Sequence, residues 1–131
     1  MNRPPVNALN REMALEMNDA LDTVVDDPSV RAVVLATRLK AFCGGADLKM
    51  NLAFDRLEMG QWTFLIQRIY DRLERLPLPT IAAMSGSAAG GGLELALACD
   101  IRVVAPEMVL SLPEVKRGIL PGEVGRSDWL G

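Results

Sequence analysis

The chain has 131 residues, with 14 basic against 17 acidic side chains and 50% hydrophobic but only 5% aromatic content, which is one domain's worth of sequence with an ordinary globular core. A net charge of −3 with both signs interspersed leaves no basic stripe and argues against nucleic acid as a partner. No apolar run approaches the ~20 residues that span a bilayer, and the opening MNRPPVNALN lacks the apolar core of a signal peptide, so a soluble, cytoplasmic chain without a membrane partner is expected.

Asn10 reads as an N-cap with Glu12 in the first turn, and Met13, Met17, Ala20, Leu21 and Val24 recur at helical spacing. Together they predict an amphipathic helix over 10–26, closed by Asp26-Asp27-Pro28. Val30 to Ala36 (VRAVVLA) is a β-branched run of strand length, apolar enough to be buried on both faces of a helix-covered sheet. The loop TRLKAFCGGAD follows. Trp62, Leu65, Ile66, Ile69, Leu73 and Leu76 then predict a helix from about Gly60 to Arg75, stopped by Pro77 and Pro79. Thr80 to Met84 reads as a short buried strand, SGSAAGGG as a turn, Gly91 to Cys99 as a helix and IRVVA as a strand. Both glycine turns follow strands. Repeated strand–turn–helix units imply an α/β fold with its ligand at the strand ends, where the loops gather.

The chemistry concentrates in those two turns. Gly90-Gly91-Gly92-Leu93-Glu94 opens a helix on three glycines, which removes side chains from the first unpartnered N–H groups and makes room for an anionic oxygen. Glu94 lies within the apolar run LELALAC, where desolvation is expected to raise its pKa and suit it to proton transfer. Taken alone, such glycines serve close helix packing and such a glutamate is solvated as often as it is catalytic. The second turn, Phe42-Cys43-Gly44-Gly45-Ala46-Asp47-Leu48, shifts the balance, because two turns can aim two N–H groups at one oxygen.

The chain has no histidine, which excludes histidine-ligated zinc and any Ser-His or Cys-His nucleophile, and leaves carboxylates as the general acids and bases. No metal site is predicted. Cys43 and Cys99 lack CxxC spacing and are expected to be reduced thiols, Cys43 as a small turn filler. SGSAAGGG fits a dinucleotide-binding GxGxxG only loosely, and a Walker-type lysine is missing.

At this point NRPPVNALN, VRAVVLATRLKAFCGGADLK, PTIAAMSGSAAGGGLELALACDIRVVA and SLPEVKRGILPG, in that order, resemble the successive segments of the crotonase superfamily, the enoyl-CoA hydratase/isomerase group. The resemblance implies a crotonase-like spiral of repeated ββα units and an acyl-CoA thioester as substrate, with no separate cofactor. It implies that the Ala46 and Gly91 N–H groups form an oxyanion hole. Glu94 is similar to the glutamate that holds and activates water, and Glu114 to the one that exchanges the proton at the α-carbon. Asp47, Leu48 and Lys49 would line the acyl-CoA site beside Ala46 and Gly91. Arg38 and Lys40 either face coenzyme A phosphates or are solvated loop charges. Retention of both glutamates points to hydration, with double-bond isomerisation the alternative.

The chain departs from that pattern at both ends. Residues 1–131 resemble a partial, truncated domain that begins past the family's first strand, and Pro121-Gly122-Glu123-Val124-Gly125 keeps only part of a PGxGG-like turn. The C-terminal helical region, which helps the family form trimers or paired trimers (hexamers), is not recognisable. A non-catalytic CoA-binding or assembly subunit is therefore the competing reading, and an uncovered apolar face favouring self-association is expected.

Overall fold

Three successive turns of strand, short strand and helix stack side by side in the computed structural model, which describes residues 1–117. In chain order the elements are α1 (Arg11–Asp26), β1 (Val33–Ala36), α2 (Leu48–Ala53), α3 (Arg56–Glu74), β2 (Thr80–Met84), β3 (Ala88–Ala89), α4 (Gly91–Leu97), β4 (Ile101–Val104), β5 (Leu110–Ser111) and a 3-10 turn at Pro113–Arg117. The sheet runs β1-β2-β4, all parallel, and β3 pairs in parallel with β5. Cys43 bridges to Ala88 in the same sense. Thus Cys43, β3 and β5 form a second parallel layer beyond the first, and each turn of the chain contributes one strand to either layer. Parallel neighbours need crossovers, supplied here by α2 with α3 and by α4.

The N-terminal helix starts where expected, with the Asn10 side chain accepting from Met13 N–H at 2.9 Å. It packs on α3, and the Arg72 guanidinium clasps the pair by donating to the Asn18 backbone and side chain and to Asp22. The second long helix begins earlier than the predicted Gly60. Asp55, the N-cap before Arg56, and Glu58 in the first turn form a reciprocal capping box, and a Cβ on Gly60 would meet nothing within 4 Å. That glycine is an exposed mid-helix residue and marks no boundary. Four short elements, α2, β3, β5 and the 3-10 turn, have no counterpart among the predicted ones.

Strand β1 is shorter than the predicted Val30 to Ala36, because Asp27 and Ser29 form a turn and pairing begins only at Val33 N–H, which donates to Pro79 O at 2.9 Å. Its expected burial on both faces is also wrong. Leu35 and Ala82 are register partners on the covered side, where Ala82 and Met84 are buried. On the other side Val34, Ile81 and Ile101 form one row, with Val34 58% and Ile101 51% exposed. The described helices cover only one face, so the outer strands keep apolar side chains in contact with solvent. Among the described residues no strand precedes α1. There Leu9 makes a single bridge to Ala46. The Pro121–Gly125 segment lies outside the described residues.

The core runs from Leu9 and Met13 through Phe42, Ile69 and Met84 to Leu95, all buried. At its edge Thr80 N–H and Oγ1 donate to Asp100 Oδ2 at 2.8 and 2.9 Å, while Asp100 N–H donates to Thr80 Oγ1 at 2.9 Å. This exchange ties the start of β2 to the entry of β4. Bonds from the Thr80 backbone and then its hydroxyl, with Arg102 nearby, hold the Asp100 carboxyl below its ordinary value. A depressed carboxyl contributes stability above its unfolded pKa of ~3.9 and loses it as pH falls through the folded value. Asp100→Asn should therefore be less stable than the parent near pH 7, with the gap closing below about pH 4, as read from urea midpoints at both pH values.

Candidate active site

Backbone pairing brings the two glycine turns together. Phe42 N–H donates to Ser87 O at 2.9 Å and Ala89 N–H to Cys43 O at 3.0 Å. The approach is close enough that glycine is required at three points, the tightest being Gly86, where a Cβ would stand 1.7 Å from Lys40 O. A Cβ on Gly92 would stand 2.3 Å from Cys43 O, and one on Gly45 would stand 2.6 Å from Ala89 O and 3.5 Å from Gly91 N. Gly45 also has φ +83°, a region side chains rarely tolerate.

Behind the first turn sits Asn7, fully buried with φ +52°, an angle asparagine tolerates better than most residues. Its amide donates to Thr37 Oγ1, Ala41 O and Phe42 O at 2.7, 3.2 and 3.0 Å. Its Oδ1 accepts from Arg3 N–H at 2.7 Å, and the Arg3 guanidinium continues to Ala8 O and Asp47 Oδ2, also at 2.7 Å. Neither Asn7 nor Arg3 was singled out from sequence.

Bridge geometry sets the direction of the Ala46 N–H. Leu9 bonds to the residues flanking Ala46, through Leu9 N–H to Gly45 O at 2.7 Å and Asp47 N–H to Leu9 O at 2.8 Å. Ala46's own amide therefore points away from Leu9. Among the described residues, neither Ala46 N–H nor Gly91 N–H donates to a carbonyl of another backbone segment. Helix α4 is only seven residues long and has no side-chain cap, so its opening offers individual N–H groups rather than a strong helix dipole.

Both predicted glutamates reach this junction. Glu94 is buried, at 5% exposure, and its Oε2 lies 3.9 Å from the position a Gly91 Cβ would take. Glu114 arrives by the second layer: the Ala89–Ser111 pairing, with Gly90 N–H donating to Ser111 O at 2.9 Å, places the following 3-10 turn over the glycines. Its Oε1 lies 2.8 Å from where a Gly90 Cβ would stand. Its Oε2 is buried with no hydrogen-bond partner among the described residues.

A third group, unforeseen, completes the cluster. Tyr70 O–H donates to Gly91 O at 2.8 Å from a side chain that is 2% exposed. Burial, then the charges of Glu94, Cys43 and Glu114, hold this phenol well above its ordinary pKa. A signal was available in the sequence: Tyr70 falls on the same apolar stripe as Ile66, Ile69 and Leu73, where a buried hydroxyl must find a partner.

The other predicted residues are arranged differently. Asp47 caps α2 by accepting from Lys49 and Met50 N–H, besides pairing with Arg3. These bonds, led by Arg3, lower its pKa. Leu48 and Lys49 are exposed on α2, and Arg38 and Lys40 are exposed on the preceding loop. Cys43 is fully buried, its Sγ donating to Asn7 O at 3.1 Å, which agrees with a turn-filling role.

Over residues 1–130 the chain matches the family described as enoyl-CoA hydratase/isomerase. It belongs to that family. Enoyl-CoA hydratase domain-containing protein 2, mitochondrial, from Mus musculus is 42% identical over 127 residues, covering 95% of this chain and 43% of that protein. The solved enoyl-CoA hydratase of Bacillus anthracis superposes with a TM-score of 0.84 at 35% identity, over 88% of this chain and 45% of its own. Pseudomonas aeruginosa DspI gives a TM-score of 0.89 at 31% identity, over 98% and 49%. The fold is thus the crotonase spiral, and the chain spans less than half the length of these relatives. No helix among the described residues is long and apolar enough to cross a membrane.

Two expectations follow for this enoyl-CoA hydratase/isomerase family member. Gly92→Ala should lower the melting temperature more than Gly60→Ala, because the new Cβ meets the Cys43 backbone in the first case and nothing within 4 Å in the second. Thermal melts of both variants check the order. Burial pushes the Cys43 and Cys99 thiols up to about 11, leaving about one in a thousand ionised at pH 8. A disulfide thiol reagent should label neither cysteine in the native protein and both after denaturation.

Proposed function

We propose that this site adds water to 2-enoyl-CoA thioesters. The observation that carries the proposal is the placement of Glu94 and Glu114 against adjacent glycines, 91 and 90, of the turn that also presents an N–H group. In this reading the Ala46 and Gly91 N–H groups receive the thioester oxygen. As hydroxide from water adds to the β-carbon, electrons move toward that oxygen, and enolate charge is stabilised where two fixed donors meet it. Glu94 takes the proton released by the water, and Glu114 delivers a proton to the α-carbon, which collapses the enolate back to a saturated thioester. Exchange with solvent returns both carboxyls to their starting states. The reaction moves a proton and a hydroxide without net oxidation, so coenzyme A enters only as part of the substrate. Asp47, Leu48 and Lys49 belong to the same proposal as the segment bordering the acyl-CoA chain, as does trimeric or hexameric assembly.

Support comes from the burial of Glu94, the seating of Glu114 on Gly90 and membership of a family whose description covers both hydration and isomerisation. Losing one donor of an oxyanion hole costs about two to three orders of magnitude in rate, and losing a general acid or base about two to four.

The test follows from the division of labour. Glu94→Gln and Glu114→Gln should each reduce crotonyl-CoA hydration by about 10²–10⁴-fold while changing the dissociation constant of a saturated acyl-CoA by less than about threefold. An isomerase needs only one shuttling base. It would lose double-bond migration with Glu114→Gln and retain it with Glu94→Gln. Absence of both reactions in the parent, with acyl-CoA still bound, would establish a non-catalytic CoA-binding chain instead, and turnover indifferent to both substitutions would overturn the roles of the two glutamates.

A further inference from the structure

We propose that Tyr70 is a positioning residue of this site: its hydroxyl bonds the Gly91 carbonyl and sits where a Gly91 Cβ would point, and so pins the α-carbon to which the Gly91 N–H is attached, while the Gly90 carbonyl, bonded to Leu93 and Glu94 N–H, holds the plane of that N–H. The inference rests on the oxyanion reading above and adds a residue to it.

Three consecutive glycines are the least constrained opening a helix can have, since each explores more backbone conformations than any other residue. In this fold each one is held from a different direction. Gly90 donates its N–H to Ser111 O at 2.9 Å, and its carbonyl accepts from Leu93 and Glu94 N–H at 2.9 and 3.1 Å. Gly92 is wedged against the Cys43 carbonyl, with no space for a Cβ. For Gly91 the external restraint is Tyr70. Its O–H donates to Gly91 O at 2.8 Å, and its oxygen lies 2.9 Å from the position a Gly91 Cβ would occupy.

The restraint is stiff. Tyr70 projects from α3, a 19-residue helix that packs on α1, so the bond transmits the position of a long element to a two-turn helix that lacks a side-chain cap. A planar ring on two rotatable bonds, buried between Ile69 and Leu73 on its own helix, has little freedom to follow a drifting peptide. Burial and the neighbouring Glu94 and Glu114 keep the phenol protonated across the working pH range, so it remains a donor. A donor aimed wrongly by a fraction of an ångström loses most of its effect on a developing charge, while substrate binding elsewhere is little changed.

Acetoacetyl-CoA tests this without turnover, because the enolate of a 3-ketoacyl thioester absorbs in the near ultraviolet and reports charge held on the thioester oxygen. The parent chain should raise that absorbance on binding. Tyr70→Phe should bind with a dissociation constant within about threefold of the parent and show about tenfold less enolate. Equal enolate in both proteins overturns the role of Tyr70 and leaves the oxyanion hole standing. A parent that binds acetoacetyl-CoA without forming enolate overturns the hole, and the role of Tyr70 with it.

If Tyr70→Phe fails to fold by circular dichroism, the parent itself supplies the test, because the chain contains one tyrosine. Its single ¹³Cζ resonance should move with acetoacetyl-CoA and stay in place with coenzyme A alone. A resonance that ignores acetoacetyl-CoA, or moves equally with both, overturns the proposal.

Discussion

Parallel pairing of three short backbone segments, at Cys43, Ala88 and Leu110, is the constraint on which the site depends. Each segment belongs to a different turn of the chain, and each is followed within a few residues by a part of the junction: Ala46 after the first, Gly91 and Glu94 after the second, Glu114 after the third. Main-chain hydrogen bonds fix the register, so none of these residues needs a dedicated contact to find the others. The larger β1-β2-β4 sheet supplies the platform and the spacing, each strand leading at its C-terminal end into the second layer and the helical crossovers returning the chain to the sheet.

Close approach comes with that register. The pairing brings Cys43 O to Gly92 and Ala89 O to Gly45, and at both places a β-carbon would overlap a carbonyl oxygen. Glycine at these positions is a steric condition of the layer rather than a source of flexibility. The freedom that glycine would otherwise confer is removed from outside, by Ser111 at Gly90, Tyr70 at Gly91 and Cys43 at Gly92. On the other side of the junction, Asn7 and Arg3 do comparable work. A buried amide with bonds to Thr37, Ala41 and Phe42 holds the first turn, and Arg3 joins it to the cap of α2. A site built this way is rigid because its supports come from separate elements.

Legibility in the sequence divided along physical lines. Helix α1 was readable because Asn10 caps it and Met13, Leu21 and their neighbours keep helical period for four turns. Strand β2 was readable from its short apolar run ahead of a glycine turn. Glu94 stood out by its glycine context and Glu114 by resemblance, and the fold places both at the glycine turn. Strands β3 and β5 were not readable: at two residues each they carry no period, and their pairing is a long-range event between SGSAAGGG and a segment some twenty residues later. Gly60 was misread as a helix start because the capping box at Asp55 and Glu58 lies ahead of the apolar stripe. The burial of VRAVVLA was overestimated because apolar content reports what a face can tolerate, and the covering layer is a property of the whole fold. Tyr70 was hidden in the stripe of α3, where its ring looked like core and its hydroxyl was not asked for a partner.

The proposed use of the Ala46 and Gly91 N–H groups as donors has a genetic consequence. These groups belong to the main chain, so no side-chain replacement removes them except proline, which also locks φ and disturbs the turn. Under that proposal an alanine scan would register Glu94 and Glu114 and pass over Ala46, which is already alanine. Proline apart, mutational drift reaches such donors only indirectly, through residues that bend or crowd the backbone around them. Deleting one cleanly takes an ester in place of the amide, a change that lies outside the genetic code.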